Sequence, residues 1–287
     1  MIERVEYCDL VRRRDFLVCV DSDGCVMDTM SSKHIHCFGP CLVRVWGLEA
    51  WRDEVMGLWC DLNLYRATRG INRFEGLVAA LGEINEKMTR VAGIDALRAW
   101  CESTDALSES ALCDAISACE SGEGRASLSL ALEWSRLVNK EIRALPESLC
   151  RPFDGAREGV RLLHTVADVA VVSSADRESV MSEWSRYSLL THVDAVMAQD
   201  SGTKERSIAR LLRLGYHADN VLTVGDSIGD MEAARHAGTC FFPIIPTRES
   251  DSWHRLARHA IPRLLDGTYK GKYQQMMIDE LVERLRG

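Results

Sequence analysis

The chain has 287 residues, 46% of them apolar and 27% charged, with a net charge of −8 and an isoelectric point near 5.6. That apolar share supplies a packed core for one large or two modest domains without disulfide staples. The acidic balance excludes a nucleic acid or an anionic membrane surface as partner, because either demands a basic face, so the expected partner is a small molecule.

Residues 1–15 are charged and read as a solvated lead-in, with Arg12, Arg13 and Arg14 just before the first strand. They hold no apolar run long enough for a secretory signal, and the sequence nowhere reaches the roughly 18 apolar residues of a membrane span. A cytoplasmic protein is expected. Eleven cysteines, an odd count without regular spacing, then read as reduced thiols packed as small hydrophobes.

Five apolar residues, Phe16 to Val20, run straight into Asp21, Asp23 and Gly24. This predicts a buried parallel strand ending in a loop, where open α/β sheets hold their ligands. Two carboxylates so placed repel each other and lose hydration, a cost that a bound cation would offset.

From Thr29 to about Cys150 the periodicity is helical. The clearest helix spans Ala126 to Leu145, with Leu128, Leu132, Leu137, Val138 and Ile142 on one stripe and Pro146 as its stop. Residues 94–101 and 108–119 predict shorter helices, separated by polar turns such as Ser121-Gly122-Glu123-Gly124. His34, His36, Cys37 and Cys41 are zinc-ligand types without zinc-site spacing, so their segment reads as a helix. The stretch 65–74 combines three arginines with Gly70 and Asn72. Within it Arg69 and Arg73 are candidates for binding a second anionic group of a substrate, the alternative being a solvated turn with surface ion pairs.

After Gly155 the pattern alternates: helix 156–166, strand 168–172, helix 177–187, strand 193–197, helix 204–214, strand 220–225, helix 229–237 and strand 239–242. That alternation predicts a parallel sheet with helices on both faces. Helices at 251–260 and 272–286 follow, with Trp253 and Tyr269 as packing residues.

Asp21, Asp23, Gly24 and Asp28, placed after an apolar strand, closely resemble motif I of the haloacid dehalogenase-like (HAD) hydrolases, D-x-D-G-T-x-x-D, with Cys25 in place of the usual Thr. Ser173-Ser174 after a strand resembles motif II, and Lys204 at a helix start resembles motif III. Gly225-Asp226-Ser227-Ile228-Gly229-Asp230 resembles the G-D-x-x-x-D of motif IV. The helical block straight after motif I resembles the C1 cap that selects substrates in this superfamily.

The resemblance implies a Rossmann-like catalytic core, residues 1–29 and 151–287, with an inserted all-helical cap, residues 30–150. It implies Mg2+ held directly by Asp21 and Asp226 and by the backbone carbonyl of Asp23, with Asp230 binding through water or orienting Lys204. Asp21 would be the nucleophile and Asp23 the acid and base. Ser173 and the backbone near Ser22 and Asp23 would bind the phosphoryl oxygens, with Ser174 beside them where the family often has Asn. Cys25 is expected to pack or to accept a weak hydrogen bond, and Asp28 to brace the loop.

The chemistry asks for the same groups. A carboxylate about 4 Å from a phosphate charge, at an effective dielectric near 20, is repelled by roughly 4 kcal/mol per charge pair. A hard divalent cation and a lysine offset that repulsion. An acid at Asp23 suits an alkoxide leaving group, which dehalogenases and phosphonatases of the family do not protonate in this way. The expected activity is Mg2+-dependent hydrolysis of a small phosphorylated metabolite through an aspartyl-phosphate. The alternatives are a phosphomutase of the β-phosphoglucomutase kind and a catalytically silent phosphate-binding protein.

Overall fold

The computed structural model describes residues 10–104 and 107–286, so the first nine residues of the lead-in lie outside the described residues. Five strands, β1 (Leu17–Val20), β2 (Asp168–Val172), β3 (Ala195–Met197), β4 (Val221–Gly225) and β5 (Cys240–Pro243), form one sheet in the order β3-β2-β1-β4-β5. Every pairing is parallel.

Alternation along the strands sorts their residues between two apolar layers. Val18, Val20, Val169, Val171, Leu222 and Val224 pack with Val160 and Leu163 of the Ala156–Val166 helix and with Val180 and Trp184 of the Arg177–Arg186 helix. Leu17, Cys19, Ala170, Val172 and Val221 face the other way, toward Ile208 and Leu211 of the Lys204–Leu212 helix and Ala233 of the Ile228–Ala237 helix. Each fully buried aliphatic side chain contributes about 1.5–3 kcal/mol of transfer free energy. This burial on both faces is why the strands read as continuous apolar runs. The fold is a Rossmann-like α/β sheet.

From β1 the chain builds β2 and β3 on one side, then crosses to β4 and β5 on the other. The order reverses between β1 and β4, where the Asp21 N–H donates to the Val224 carbonyl at 2.9 Å. Such a switch point is where these sheets hold ligands. At the opposite end of the sheet, Asp168 accepts from the backbone N–H groups of Arg13 and Arg14 and from the Tyr216 hydroxyl, at 2.9, 3.0 and 2.6 Å.

The chain divides into two compact units. One comprises the sequence through Met30 together with Glu147 onward, and the other is Ser31–Pro146. Among its described residues the second unit is wholly helical. Its core joins Phe38, Trp59 and Trp134, whose ring centroids lie 5.8–6.1 Å apart, and the Trp134 indole donates to the Phe38 carbonyl at 3.2 Å.

Two helices here depart from expectation. The longest is Gly122–Arg143, because Ser121 caps it by accepting from the Gly124 N–H, so the glycine-bearing turn becomes its first turn. The Arg73–Lys87 helix begins inside the stretch expected to be a turn, since Asn72 and Glu75 form a capping box. In the first unit the Glu249–Arg255 helix runs on through a π-helical turn, Leu256–Ala260, to Leu265. No described helix is long and apolar enough to cross a membrane.

Candidate active site

The first carboxylate comes directly off β1. Asp21 follows Val20, which pairs with Val171 of β2 and Val224 of β4. Asp226 comes two residues past Val224 at the end of β4, so the sheet delivers both carboxylates to the switch point. Asp230 is the third residue of the following helix. Ser227 caps that helix, its N–H and hydroxyl donating to Asp230 Oδ2 at 3.3 and 2.6 Å. Gly225 leaves room for this arrangement, since a Cβ there would lie 2.2 Å from Asp230 Cγ.

Lys204 joins the group from the first position of its helix. Its Nζ lies 2.9 Å from Asp21 Oδ1 and 2.6 Å from Asp230 Oδ1. Thr203 caps the helix, and the loop before it is pinned by Arg177, which donates to the Val196 carbonyl at 3.0 Å and to both carboxylate oxygens of Asp200.

Ligand oxygens of Asp21, Asp226 and Asp230 all lie within 4.8 Å of one another, the one such acidic, His or Cys cluster among the described residues. Three buried carboxylates face one ammonium. Burial, together with Asp230 and Asp226, pushes the Asp21 carboxyl well above the ordinary aspartate range against the pull of Lys204. Burial opposes the charge on Lys204, but Asp21 and Asp230 outweigh it and raise its pKa. The cluster is therefore short of positive charge and offers only hard oxygen donors. That donor chemistry fits a Mg2+-like cation and not a soft one.

Asp23 is half-buried and accepts from the Thr29 hydroxyl at 2.5 Å. Gly24, at φ 78°, takes the left-handed turn that lets the chain fold back, its N–H donating to the Met27 carbonyl at 2.9 Å. Ser173 directly follows β2, its Oγ accepting from the Ala175 N–H at 3.1 Å, which leaves its own O–H able to donate. Ser174 is exposed beside it.

The surroundings of the loop refine the expected roles. The Ser22 side chain is fully buried and accepts from the Trp184 indole at 2.9 Å, which leaves its backbone, the part expected to serve a ligand, as the part that could do so. Cys25 packs in the apolar core, as expected, but its sulfur donates and does not accept. Its thiol donates weakly to the Val224 carbonyl at 3.7 Å, and burial together with the neighbouring carboxylates pushes its pKa well up. The Asp28 side chain is exposed, and bracing falls to Thr29.

Arg69 is buried and donates to the Leu64 carbonyl at 2.9 Å. Arg73 donates to Asn139 at 2.7 Å and Ser135 at 3.3 Å, and lies over the Phe38 ring. Both guanidiniums have structural partners inside the helical unit, so the reading as a solvated turn with surface ion pairs does not describe them.

Thr29, Trp184, Trp253, Arg177 and Ser227 escape a reading by motif. Of these only Ser227 carries a sequence signal, the S-x-x-D spacing of a capping box.

Residues 114–244 match the protein-family model described as "Haloacid dehalogenase-like hydrolase". No curated protein matches the chain. Among solved structures, a haloacid dehalogenase-like family hydrolase of Streptococcus pneumoniae aligns at 12% identity and TM-score 0.44, over 83% of this chain and 90% of its own. A proposed phosphoglycolate phosphatase of Lactobacillus delbrueckii aligns at 16% and 0.49, over 80% and 86%. The proposed HAD-hydrolase YfnB of Bacillus subtilis, described as bound to magnesium, aligns at 12% and 0.46, over 86% and 100%. All three are distant likenesses.

Proposed function

We propose, from the premise that the chain belongs to the haloacid dehalogenase-like hydrolases, that it is a Mg2+-dependent phosphatase acting on a small phosphorylated metabolite in the cytoplasm. The observation that carries the reading is the grouping of Lys204 with Asp21, Asp226 and Asp230 at the sheet's switch point. Asp21 and Asp226, with the Asp23 carbonyl, would hold the metal. When bound, it would supply Lewis-acid charge that offsets repulsion between carboxylate and phosphate.

An Asp21 oxygen attacks phosphorus as the ester P–O bond breaks, and Asp23 gives its proton to the departing oxygen. Lys204 neutralises charge on Asp21 and on the transferring group, while the Ser173 hydroxyl donates to a phosphoryl oxygen. Water then attacks the aspartyl-phosphate with Asp23 as base, and the bond to Asp21 breaks to release phosphate. Asp230 holds two contacts, Lys204 on one oxygen and Ser227 on the other, which suits orienting the lysine.

The test is phosphate release from an aryl phosphate and a panel of small phosphomonoesters, with Mg2+ and with EDTA. Wild type should turn over only with metal, and Asp21→Asn should not. Turnover by both proteins, or by neither across the panel, overturns the reading. Migration of phosphate within a substrate would mark a mutase instead.

A further inference from the structure

Two buried tryptophans from different helices hold the loop between Asp21 and Asp28, one on each side of Asp23. Trp184 of the Arg177–Arg186 helix donates its indole N–H to Ser22 Oγ at 2.9 Å, and Trp253 of the Glu249–Arg255 helix donates to the Cys25 carbonyl at 2.9 Å. Both rings are almost fully enclosed.

The Ser22 carbonyl already accepts from the N–H groups of Cys25, Val26 and Met27 at 3.3, 3.0 and 2.9 Å. It has no capacity left for an outside anchor, so the hydroxyl is the handle by which the protein body grips this residue. Between the two anchored positions stands Gly24, the residue with the greatest backbone freedom in the loop.

We infer that Trp184 and Trp253 are positioning residues, whose indole N–H groups fix the backbone around Asp21 and Asp23. Their consequence for turnover rests on the phosphatase reading. A packing role would need only the ring area, which phenylalanine largely retains. The inferred role needs the N–H.

The experiment uses the full chain and compares wild type, Trp184→Phe, Ser22→Ala, the double variant and Trp253→Phe. Ser22→Ala removes the same bond from the other side, which keeps the test informative if a tryptophan variant fails to fold. Amide hydrogen exchange at Cys25, Val26 and Met27 is expected to quicken at least about 10-fold in each single variant, with β1 amides unchanged. For phosphate release, kcat is expected to fall about 10- to 100-fold, the scale of a sub-ångström to ångström misplacement, with KM within about 2-fold. The double variant should be no slower than the worse single, because both changes remove one bond.

Unchanged loop exchange overturns the inference, and so does faster exchange with an unaltered kcat, or additive losses in the double variant. If wild type releases no phosphate from any ester, the phosphatase reading has failed. Exchange alone then decides whether the indoles hold the loop.

Discussion

Replacing Lys204 by Met tests the charge balance of the site most directly. Its Nζ sits 2.9 Å from Asp21 and 2.6 Å from Asp230, with all three side chains largely buried. At an effective dielectric near 20 each contact represents about 6 kcal/mol of attraction before desolvation is subtracted. Measured losses on stranding one member of a buried pair are about 3–5 kcal/mol. Methionine keeps most of the volume, so the loss reports charge more than cavity. A loss of about 3 kcal/mol in a domain of this size lowers Tm by roughly 6–12 °C, read by calorimetry in EDTA at neutral pH.

The pH dependence of that loss has a definite sign. The folded pKa of Lys204 is raised, so its stabilisation is present below the ordinary lysine value and is lost only as pH climbs through the raised one. The folded pKa of Asp21 is raised as well, so its buried charge weakens the fold as pH rises through that value. Without Lys204 the weakening is larger, and the deficit should shrink as acid protonates the carboxylates. A loss below about 1 kcal/mol at neutral pH, or a deficit that grows with acidity, refutes the picture of a cation-starved cluster.

Gly225→Ala should drive a Cβ into Asp230, destabilise the protein by about 1–3 kcal/mol in urea melts and cut phosphate release at least about 10-fold. A fully active variant would mean that Asp230 can shift without consequence. Mg2+ should raise the wild-type Tm progressively, by the equivalent of about 2.7 kcal/mol at 100 times its Kd, and should do so much less for Asp226→Asn. Equal shifts in the two proteins would remove Asp226 from the metal site. Arg177 holds the Asp200 carboxyl below its ordinary range, and that pair is partly exposed. Asp200→Asn should therefore lose under about 1 kcal/mol near neutrality, and the difference from wild type should vanish as pH falls through the lowered pKa.

What could be read from sequence was what local chemistry determines. The Ala156–Val166 helix and β2 occupy their expected residues, because Gly155 marks the start of the one and the apolar run Val169–Val172, closed by Ser173-Ser174, marks the end of the other. β3 is shorter than expected, Ala195–Met197, since it is an edge strand and only those three residues pair with β2. The helix after Glu249 outruns its expected end because Pro262 falls in the first turn of a renewed helix, where its missing N–H does no harm.

In the site, Asp21, Ser173, Lys204 and Asp226 stand at strand ends or a helix start, and such places announce themselves. Trp184 and Trp253 meet the loop across 162 and 228 residues of sequence, a separation over which no spacing rule acts. Arg69 and Arg73 were ambiguous by charge alone. The Asn72/Glu75 pair carried the better signal and places Arg73 at a helix start.

The place of β1 at the centre of the sheet also bears on how the protein comes into being. Leu17 leaves the ribosome long before its neighbours Asp168 and Val221 exist, while everything from Ser31 to Pro146 is contiguous and can collapse on its own in the interval. At about 5–20 residues per second the wait for Asp168 lasts roughly 8–30 s and the wait for Val221 roughly 10–40 s. The nascent chain must carry its most apolar strand unpaired throughout, which makes the newborn polypeptide, more than the finished fold, the form in need of a chaperone.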